Sequence, residues 1–502
     1  MTAPAPVNTI TATRRTVRLR RWWIFCLSWL LLSVLSIAWS ITTPVSASPD
    51  EPAHIIKAAS VARGQFIGEP SPDGHIVQVP RYIASTQAET CFAFQPNIAA
   101  DCAIPLTGPP SEVISSSTTA GLYNPVYYLL VGWPSLLIGD ATGIYVMRAV
   151  SGILASLFLA FTVLIAYGWR RNILPLAALG VAVPPMLLFL NGSVNPNGVE
   201  TTATLAVFTA MLAIVMQPNE RLLAERSLIL LAGAAVAVNA RGLSPLWVLV
   251  AIFTPLLLIS WTQIWKLLRK PMVLVAVGGT AATTAFALFW LAGTNSLASA
   301  VTDKDASRAF PGVGASPITG FVNTIRETFG YAQTMIGNFG WRDTPAPLAV
   351  YFSWSVLVGA LILVGFSVFR GRSLLLGSVL IALFLLLPPI IQDAYIAGGG
   401  MIGQGRSTLP LFTLLVLGLA VRIAERLGSI DGKVLSRITF LAWLVWLIGQ
   451  YLSFATALKR YTVGADGSWR EALLTPEWQA PGGNVLWLVS FGLILTTAAV
   501  TA

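Results

Sequence analysis

The stretch WWIFCLSWLLLSVLSIAWSI, residues 22–41, decides the fold class. It carries no charge, and twenty residues in a helix are long enough to cross about 30 Å of hydrocarbon. The segment before it is rich in arginine, which by the positive-inside rule predicts that residues 1–21 form a cytoplasmic basic segment. The arginines of this leader are Arg14, Arg15, Arg18, Arg20 and Arg21.

The rest of the chain continues in the same way. Of 502 residues, 55% are hydrophobic and only 10% are charged, a balance that would leave large apolar patches on a soluble protein. The sequence therefore predicts an all-α polytopic membrane protein of about 12 transmembrane helices, with both termini in the cytoplasm. The predicted spans are 22–41, 149–169, 172–199, 201–217, 227–240, 242–265, 271–302, 344–369, 373–392, 407–421, 438–458 and 479–502.

The net charge of +10 is explained by topology. With the N-terminus inside, the short inner connections, such as Arg170-Arg171, are basic, whereas the outer loops carry more acidic than basic residues. The charge therefore indicates orientation, and it gives no reason to expect a nucleic acid partner. No composition break divides residues 22–502, which we interpret as a single transmembrane domain.

The structured loops are expected on the outer side, at 42–143 and near 295–343, and this face is where we expect the protein to act. The apolar stretch 122–138 is interpreted as a helix at the outer interface, because counting it as a span would place Arg170-Arg171 outside. It opens at Asn124-Pro125. Its aromatic rings, which favour headgroup depth, belong to Tyr123, Tyr127, Tyr128 and Trp133.

The three cysteines have different expected roles. Cys91 and Cys102 lie in the first outer loop, where an oxidising compartment favours a disulfide between them over two free thiols. Cys26 lies within the first span and is interpreted as a small apolar residue. Val45-Ser46-Ala47 resembles a signal-peptide cleavage site, but the apolar run before it is long enough to favour a retained anchor.

The candidate for chemistry is Asp50-Glu51, directly after the first span. Pro52 suits a first helical turn, so that Asp50, His54 and Lys57 share one helix face at spacings of four and three. A carboxylate there could deprotonate an acceptor hydroxyl or, with Glu51 and His54, hold a divalent metal. The alternative is that Asp50 only caps the helix, where its charge favours the helix dipole.

Two arginines lie where a helix dipole disfavours a cation, which suggests a nearby anion. Arg148 opens the second span and Arg406 precedes a later one, and a guanidinium suits bidentate binding of phosphate. The alternatives are interfacial snorkelling or an ion pair, with Asp393 as the expected partner of Arg406. Glu200 is interpreted as a helix-cap residue, and Arg241 as a solvated surface charge in preference to a contact to phosphate or sugar.

No G-x-x-x-x-G-K-[ST] motif or glycine-rich nucleotide fingerprint is present in the sequence. A donor group or energy source must then be lipid-linked or come from a gradient. The chain has no internal repeat, which weakens the interpretation as a transporter.

The motifs together resemble the GT-C superfamily of membrane glycosyltransferases and, within it, a bacterial family of multi-span membrane proteins, domain of unknown function 2142. The resemblance extends from about Asp50 to Pro410. The residues that carry it are Asp50-Glu51-x-x-His54, Arg63-Gly64, Asn124-Pro125-x-Tyr127-Tyr128, Arg148, Asn195-Pro196-Asn197, Gly340-Trp341-Arg342-Asp343-x-Pro345 and Gly403-Gln404-Gly405-Arg406-x-x-Leu409-Pro410.

The resemblance implies transfer of a sugar from a polyprenyl-phosphate donor to a cell-envelope glycan or lipid, outside the bacterial cytoplasmic membrane. It assigns Asp50, with Glu51 adjacent, as the base or as a contact to a divalent metal. One departure is Tyr123-Asn124-Pro125, where lipid-donor sugar transferases usually have Lys-Pro-Pro, so another cation would have to hold the donor phosphate. The candidates for binding phosphate or sugar are His54, Lys57, Arg63, Arg148, Arg342, Asp393 and Arg406.

Two other functions stay open at this point. A lipid or polysaccharide transporter also uses about a dozen helices, although the spans here carry few of the ionisable groups that such a protein needs. A non-catalytic protein of envelope assembly is the third possibility, because paired acids also serve as helix caps.

Overall fold

The structure is a computed structural model that describes residues 9–72, 74–88, 90–169, 172–296, 311–427 and 432–501. The predicted inner connection Arg170-Arg171 lies outside these ranges. The helices are α1 Thr9–Thr42, α2 Glu51–Ala62, α3 Arg81–Ala84, α4 Pro125–Gly132, α5 Pro134–Leu137, α6 Ala141–Tyr167, α7 Ile173–Ala182, α8 Pro185–Asn191, α9 Pro196–Met216, α10 Glu220–Ala237, α11 Ser244–Leu256, α12 Trp261–Leu268, α13 Pro271–Thr294, α14 Pro317–Arg326, α15 Thr328–Gly337, α16 Leu348–Val368, α17 Arg372–Gly399, α18 Leu409–Arg426, α19 Gly432–Val463, α20 Trp469–Leu474 and α21 Asn484–Thr501. The strands are β1 Glu69–Ser71, β2 Gly74–Pro80, β3 Val113–Thr118, β4 Asn338–Phe339 and β5 Thr344–Pro345.

The chain is a polytopic helical membrane protein, as the apolar stretches predict. In the described ranges, nine helices are long and apolar enough to cross a membrane, and eleven spans result if each of two bent helix pairs is counted as one. The bent pairs are α7 with α8 and α11 with α12. The remaining predicted span, 227–240, lies mainly in α10. Its first two turns carry four charged residues, which is why this helix is less apolar than the others.

Two helices form the centre of the bundle. Almost every side chain of α9 and α18 is buried, and α9 packs against α6, α8, α10, α11 and α18. By contrast, α13, α16 and α21 expose most of their apolar side chains, as helices that face lipid do. The start of α9 is fixed locally, because the side chain of Asn195 accepts a hydrogen bond from the amide of Asn197 and Pro196 occupies the first turn.

The first long loop folds around α2. Strands β1, β2 and β3 form an antiparallel sheet in that order, with Glu69 opposite Ile76 and Val79 opposite Ile114. Helix α2 packs against this sheet and against α4. The loop thereby holds the start of α2 in one position.

Residues 122–138 form two short helices, α4 and α5, of eight and four residues, which cannot cross the hydrocarbon layer. The rings of Tyr127 and Tyr128 are fully buried inside the protein. Their hydroxyls find partners inside the protein, on Ser151 and His54 respectively, both at 2.9 Å. Trp133 is exposed, and the interfacial position of this segment stays a prediction.

A disulfide joins Cys91 to Cys102 in the same loop. The short segment that it closes presents carbonyl oxygens to Arg460, near the end of α19. The guanidinium of Arg460 donates to Phe92 and Ile98 at 2.8 and 2.9 Å and to the carboxylate of Asp343 at 3.1 Å. Arg460 thus fastens the first loop and the β4–β5 hairpin to a helix that is distant in sequence.

Candidate functional site

A cavity of about 400 Å³ opens where α2, α9 and the turn before α18 meet, and we call it the Asp50 cavity. We call this end of the bundle the cavity end. The polar wall contains Asp50, His54, Tyr123, Asn124, Asn197, Glu200, Arg241, Gln404 and Arg406. The apolar wall contains Val238, Leu243, Ala287, Leu291, Pro388 and Ile391.

Asp50 occupies the N-cap position of α2 without acting as a side-chain cap. Its backbone has φ 61°, in the left-handed region, and its carboxylate accepts no hydrogen bond from the helix amides. The cap interpretation of its side chain is therefore wrong. The carboxylate instead accepts a hydrogen bond of 2.5 Å from Arg406, and 53% of the side-chain surface stays exposed, on the wall of the cavity. One face of the carboxylate is thus free for a ligand.

Arg406 is held in place by hydrogen bonds to the segment that directly precedes α2. Its guanidinium donates to the carbonyl of Pro49 at 3.2 Å as well as to Asp50, while its Nε–H is buried without a partner. The expected pairing with Asp393 was wrong, because Asp50 is the carboxylate that reaches Arg406.

The turn that carries Arg406 is ordered by close packing. The side chain of Gln392 donates to the carbonyl of Gly400 and accepts from the amides of Ile402 and Gly403. Gly405 packs so tightly against α15 that a Cβ atom would lie 2.3 Å from the carbonyl oxygen of Tyr331. A glycine is therefore required one residue before Arg406, which explains part of the Gly-Gln-Gly-Arg motif.

Arg241 forms the second cationic wall of the cavity. It follows α10, and its guanidinium donates to the side chain of Asn197, at the start of α9. Glu200, one turn along α9, accepts a hydrogen bond of 2.5 Å from Ser244 and also lines the cavity. The interpretation of Arg241 as a solvated surface charge was wrong, and Glu200 is a cavity residue and not the N-cap of α9, which is Asn195.

The charges around Asp50 keep it ionised. Burial by itself would raise the pKa of Asp50, but Arg406, His54 and Arg241 outweigh burial and lower that pKa below its ordinary value. For His54, burial dominates and lowers the pKa to about 3. The charge of Asp50 opposes this effect, whereas Arg241 and Arg406 add to it. At neutral pH the cavity therefore presents a carboxylate next to a neutral imidazole. The Nδ1 atom of that imidazole is engaged by Tyr128 at 2.9 Å.

Glu51 and Arg148 lie behind the cavity wall, in an ion pair of 2.5 Å that is fully buried on both sides. All five N–H groups of Arg148 are used, two on Glu51 and three on the carbonyls of Ser40, Thr43 and Pro44. Glu51 additionally accepts from the amide of Val194. Arg148 has no donor left for a phosphate, so its expected role in binding was wrong, and Glu51 is equally unavailable to a substrate.

The structure does not gather the other predicted ligands around Asp50. Lys57 is fully buried and donates to the carbonyls of Phe66 and Gly121 at 2.6 and 2.7 Å, which fixes the loop around α2. Arg63 ties α2 to Ser135, at the start of α5. Arg342 is exposed in the β4–β5 turn, and neither it nor Asp393 lines the cavity.

The suggested metal ligands Asp50, Glu51 and His54 do not converge either. Glu51 is committed to Arg148, which leaves a single carboxylate and one imidazole. Within the described ranges, no group of three or more His, Cys, Asp or Glu side chains could hold a metal ion. The residues present therefore do not fit the divalent metal that the resemblance suggested, and the chemistry considered below uses none.

Two cavity residues, Arg241 and Asn197, were not selected as site residues from the sequence. The signal for Arg241 was present, because it lies in the break between two apolar segments at the same predicted side as Asp50. An arginine in a short turn of that kind cannot move far from the helix ends. Its pairing with Asn197 depends on how α9 and α10 pack, which a single sequence does not give.

The fold and the cavity define the class, a multi-pass helical membrane protein with a charged cavity at one end of its bundle. Residues 32–415 match the family described as "Predicted membrane protein (DUF2142)", and the chain belongs to this family. No curated protein matches the chain significantly in sequence.

The chain is also similar to two solved structures of ArnT from Cupriavidus metallidurans, one bound to undecaprenyl phosphate and one in the apo state. Both have 12% sequence identity, and the match covers 94% of this chain and 75% of theirs. The TM-scores are 0.41 and 0.40. Similarity at this level carries no argument about activity or substrate.

Proposed function

We propose that the protein is a membrane glycosyltransferase that moves a sugar from a polyprenyl-phosphate donor to a cell-envelope glycan or lipid, at the outer face of a bacterial cytoplasmic membrane. The observation that supports this function is the meeting of an ionised, accessible carboxylate with two arginines in one cavity. A neutral imidazole lies beside them. No nucleotide fingerprint in the sequence offers another donor.

The two walls of the Asp50 cavity suit the two parts of such a donor. Arg241 and Arg406 lie on the polar wall, where they could bind the phosphate. Part of the apolar wall is contributed by α13 and α17, which leave most of their surface uncovered by protein. A polyprenyl chain could leave the cavity along the apolar side chains of these helices into lipid.

In the proposed reaction the acceptor hydroxyl oxygen attacks the anomeric carbon of the sugar. The bond between that carbon and the phosphate oxygen breaks, polyprenyl phosphate leaves, and the hydroxyl proton passes to the carboxylate of Asp50. The negative charge on the departing phosphate is stabilised by Arg241 and by the guanidinium of Arg406, both of which line the cavity. Arg406 keeps the carboxylate of Asp50 ionised, and it also makes this carboxylate a weaker proton acceptor.

The direct test uses membranes that contain the protein and a radiolabelled polyprenyl-phosphate sugar. Transfer of label into an envelope glycan or lipid is expected only when the protein is present. Movement of intact donor across the bilayer without any cleavage of the sugar–phosphate bond would contradict the proposal and indicate a transporter.

Replacing Arg241 should affect donor binding most. We expect Arg241→Gln to raise the KM for the polyprenyl-phosphate sugar by about tenfold or more, because a charge-assisted contact to the phosphate is lost. The measurement is a donor titration in membranes with matched protein amounts. The control is Arg470→Gln, which removes an exposed arginine from α20, outside the cavity. An unchanged KM in Arg241→Gln would remove this residue from the proposed donor site.

The pH profile should reflect the lowered pKa of Asp50. Because this carboxylate stays ionised below its ordinary pKa, and His54 is already neutral, neither group changes charge between about pH 5 and pH 7. We therefore expect kcat/KM for the donor to stay level over this interval and to fall only under more acidic conditions. A fall centred near pH 6.5 would contradict the assignment, because it would indicate a histidine with an ordinary pKa as the base.

A further inference from the structure

A second charged cavity, of about 460 Å³, lies at the opposite end of the bundle. Helix α18 connects the two sites, since Arg406 lies in the turn just before it and Arg426 is its last residue. Its 18 residues span roughly 27 Å at 1.5 Å per residue, about the thickness of the hydrocarbon layer. The second cavity therefore lies at the other membrane surface, which the distribution of basic loops predicts to be the cytoplasmic one.

Four arginines line this cavity, and among its described lining residues Glu425 is the one carboxylate. The arginines come from the turn between α16 and α17 and from the last turns of α18. They are Arg370, Arg372, Arg422 and Arg426. With Glu425 paired to Arg422, three positive charges remain without a counterion among these residues. We call this set the arginine cluster.

The arginine cluster is a built site, because two of its four side chains are fixed against one buried hydroxyl. Ser373 is fully buried, and its oxygen accepts from Arg422 at 2.6 Å and from Arg426 at 3.3 Å. Arg426 also donates to the carbonyl of Arg370. Two of the four guanidiniums, those of Arg422 and Arg426, therefore converge on one point, which arginines that only mark orientation do not require.

Arg372 is the least expected member of the cluster. It opens α17, where the positive end of the helix dipole disfavours a cation. Its guanidinium is exposed and has no partner in the part of the chain that the structure describes. An anion bound between Arg372 and Arg426 would offset the unfavourable interaction of Arg372 with the helix dipole. It would also reduce the mutual repulsion of the arginines.

The apolar side of the second cavity leads to the membrane surface. Val215, Met216, Leu258 and Ile259 form this side. Directly after Ile259, α12 bends by 117° away from α11 and buries none of its side chains. Trp261 and Trp265 are 69% and 51% exposed on its apolar face, and basic residues follow, as in helices that lie in the headgroup region.

We propose that the arginine cluster binds the phosphate of an anionic membrane lipid in the leaflet opposite the Asp50 cavity. The guanidiniums take the phosphate, and the side formed by Met216 and Leu258 receives the upper part of the acyl chains. Glu425 holds Arg422 in place when the lipid is absent. The site is independent of the transfer reaction, and it makes anionic lipid a structural ligand of the bundle.

The test measures the thermal midpoint of the purified full-length protein in a neutral detergent. The probes are dioctanoyl phosphatidylglycerol, dioctanoyl phosphatidylcholine and inorganic phosphate. We expect phosphatidylglycerol to raise the midpoint and phosphatidylcholine to have little effect. In the variant Arg370→Gln/Arg372→Gln, the half-saturating concentration of phosphatidylglycerol should rise about tenfold. Both side chains are exposed, and within the described ranges the Arg370 guanidinium donates to the neighbouring carbonyls of Ser367 and Phe369.

The matched control is Arg437→Gln, which removes an exposed arginine at the same end of the bundle but outside the cluster. It should leave the phosphatidylglycerol dependence unchanged. Equal dependence in the double variant and the unmodified protein would overturn the proposal. If inorganic phosphate gives the same arginine-dependent rise, phosphate binding is supported and the lipid source is overturned. None of these measurements uses transfer activity, so they stand apart from the test of the proposed function.

Discussion

Replacing Asp50 by asparagine is expected to lower the rate of sugar transfer by about a hundredfold to ten-thousandfold. The amide keeps the size of the side chain and can still accept a hydrogen bond from Arg406, but it cannot take the proton of the acceptor hydroxyl. The donor should still bind, because Arg241 and Arg406 are unchanged. The measurement is label transfer in membranes at saturating donor, with donor binding followed separately.

The control for this substitution is Asp466→Asn, which removes an exposed carboxylate in the loop after α19 and lies outside the cavity. It should transfer at the unmodified rate. A second variant, Asp50→Glu, keeps the base and should retain measurable activity, which separates loss of chemistry from loss of folding. Full activity in Asp50→Asn, at an unchanged thermal midpoint, would exclude Asp50 as the base.

Breaking the ion pair of Glu51 and Arg148 is expected to have the largest effect on stability. The variant Arg148→Met leaves the carboxylate of Glu51 buried without a counterion, which costs about 3–5 kcal/mol. It also removes the donors for the carbonyls of Ser40, Thr43 and Pro44. We expect a large fall in the thermal midpoint in detergent and a low yield of monodisperse protein.

The double variant Glu51→Gln/Arg148→Met separates charge from packing. It should recover part of the lost stability, because no unpaired charge is left, but not all of it, since the carbonyls of Ser40 and Thr43 lose their donor and that of Pro44 keeps only the amide of Ala47. The control is Arg81→Met, which breaks a surface pair with Glu112 and should cost about 0–1 kcal/mol. If Arg148→Met were as stable as Arg81→Met, the buried pair would not be the structural element that we infer.

Most of the fold could be predicted from the sequence because the membrane imposes a simple length rule on apolar helices. Each of the twelve predicted segments overlaps a helix or a bent helix pair. The bends were not predicted, because residues 172–199 and 242–265 are as apolar as straight spans. The sequence nevertheless carries a signal for each break, since Pro184-Pro185 interrupts the first stretch and Ser260 with Gln263 forms a capping box that starts α12.

Less of the candidate site could be predicted. Asp50 and His54 were found because they lie four residues apart on one helix, which is a local pattern. Arg148 was assigned to phosphate because an arginine near a helix start looks the same whether it meets a ligand or a buried glutamate. Whether Arg148 meets a ligand or a glutamate depends on its contact with Glu51, which is 97 positions away in the sequence. No local spacing pattern predicts a contact over that separation.

The pairing of Asp50 with Arg406 also has a consequence for biosynthesis. The two residues are 356 positions apart, so a ribosome that adds about 5 to 20 residues per second needs roughly 20 to 70 s to supply the partner of Asp50. The cysteines that close the first loop are only 11 positions apart and can react long before then. The loop is thus completed early, whereas the cavity that it borders stays open until nearly the whole chain has been translated.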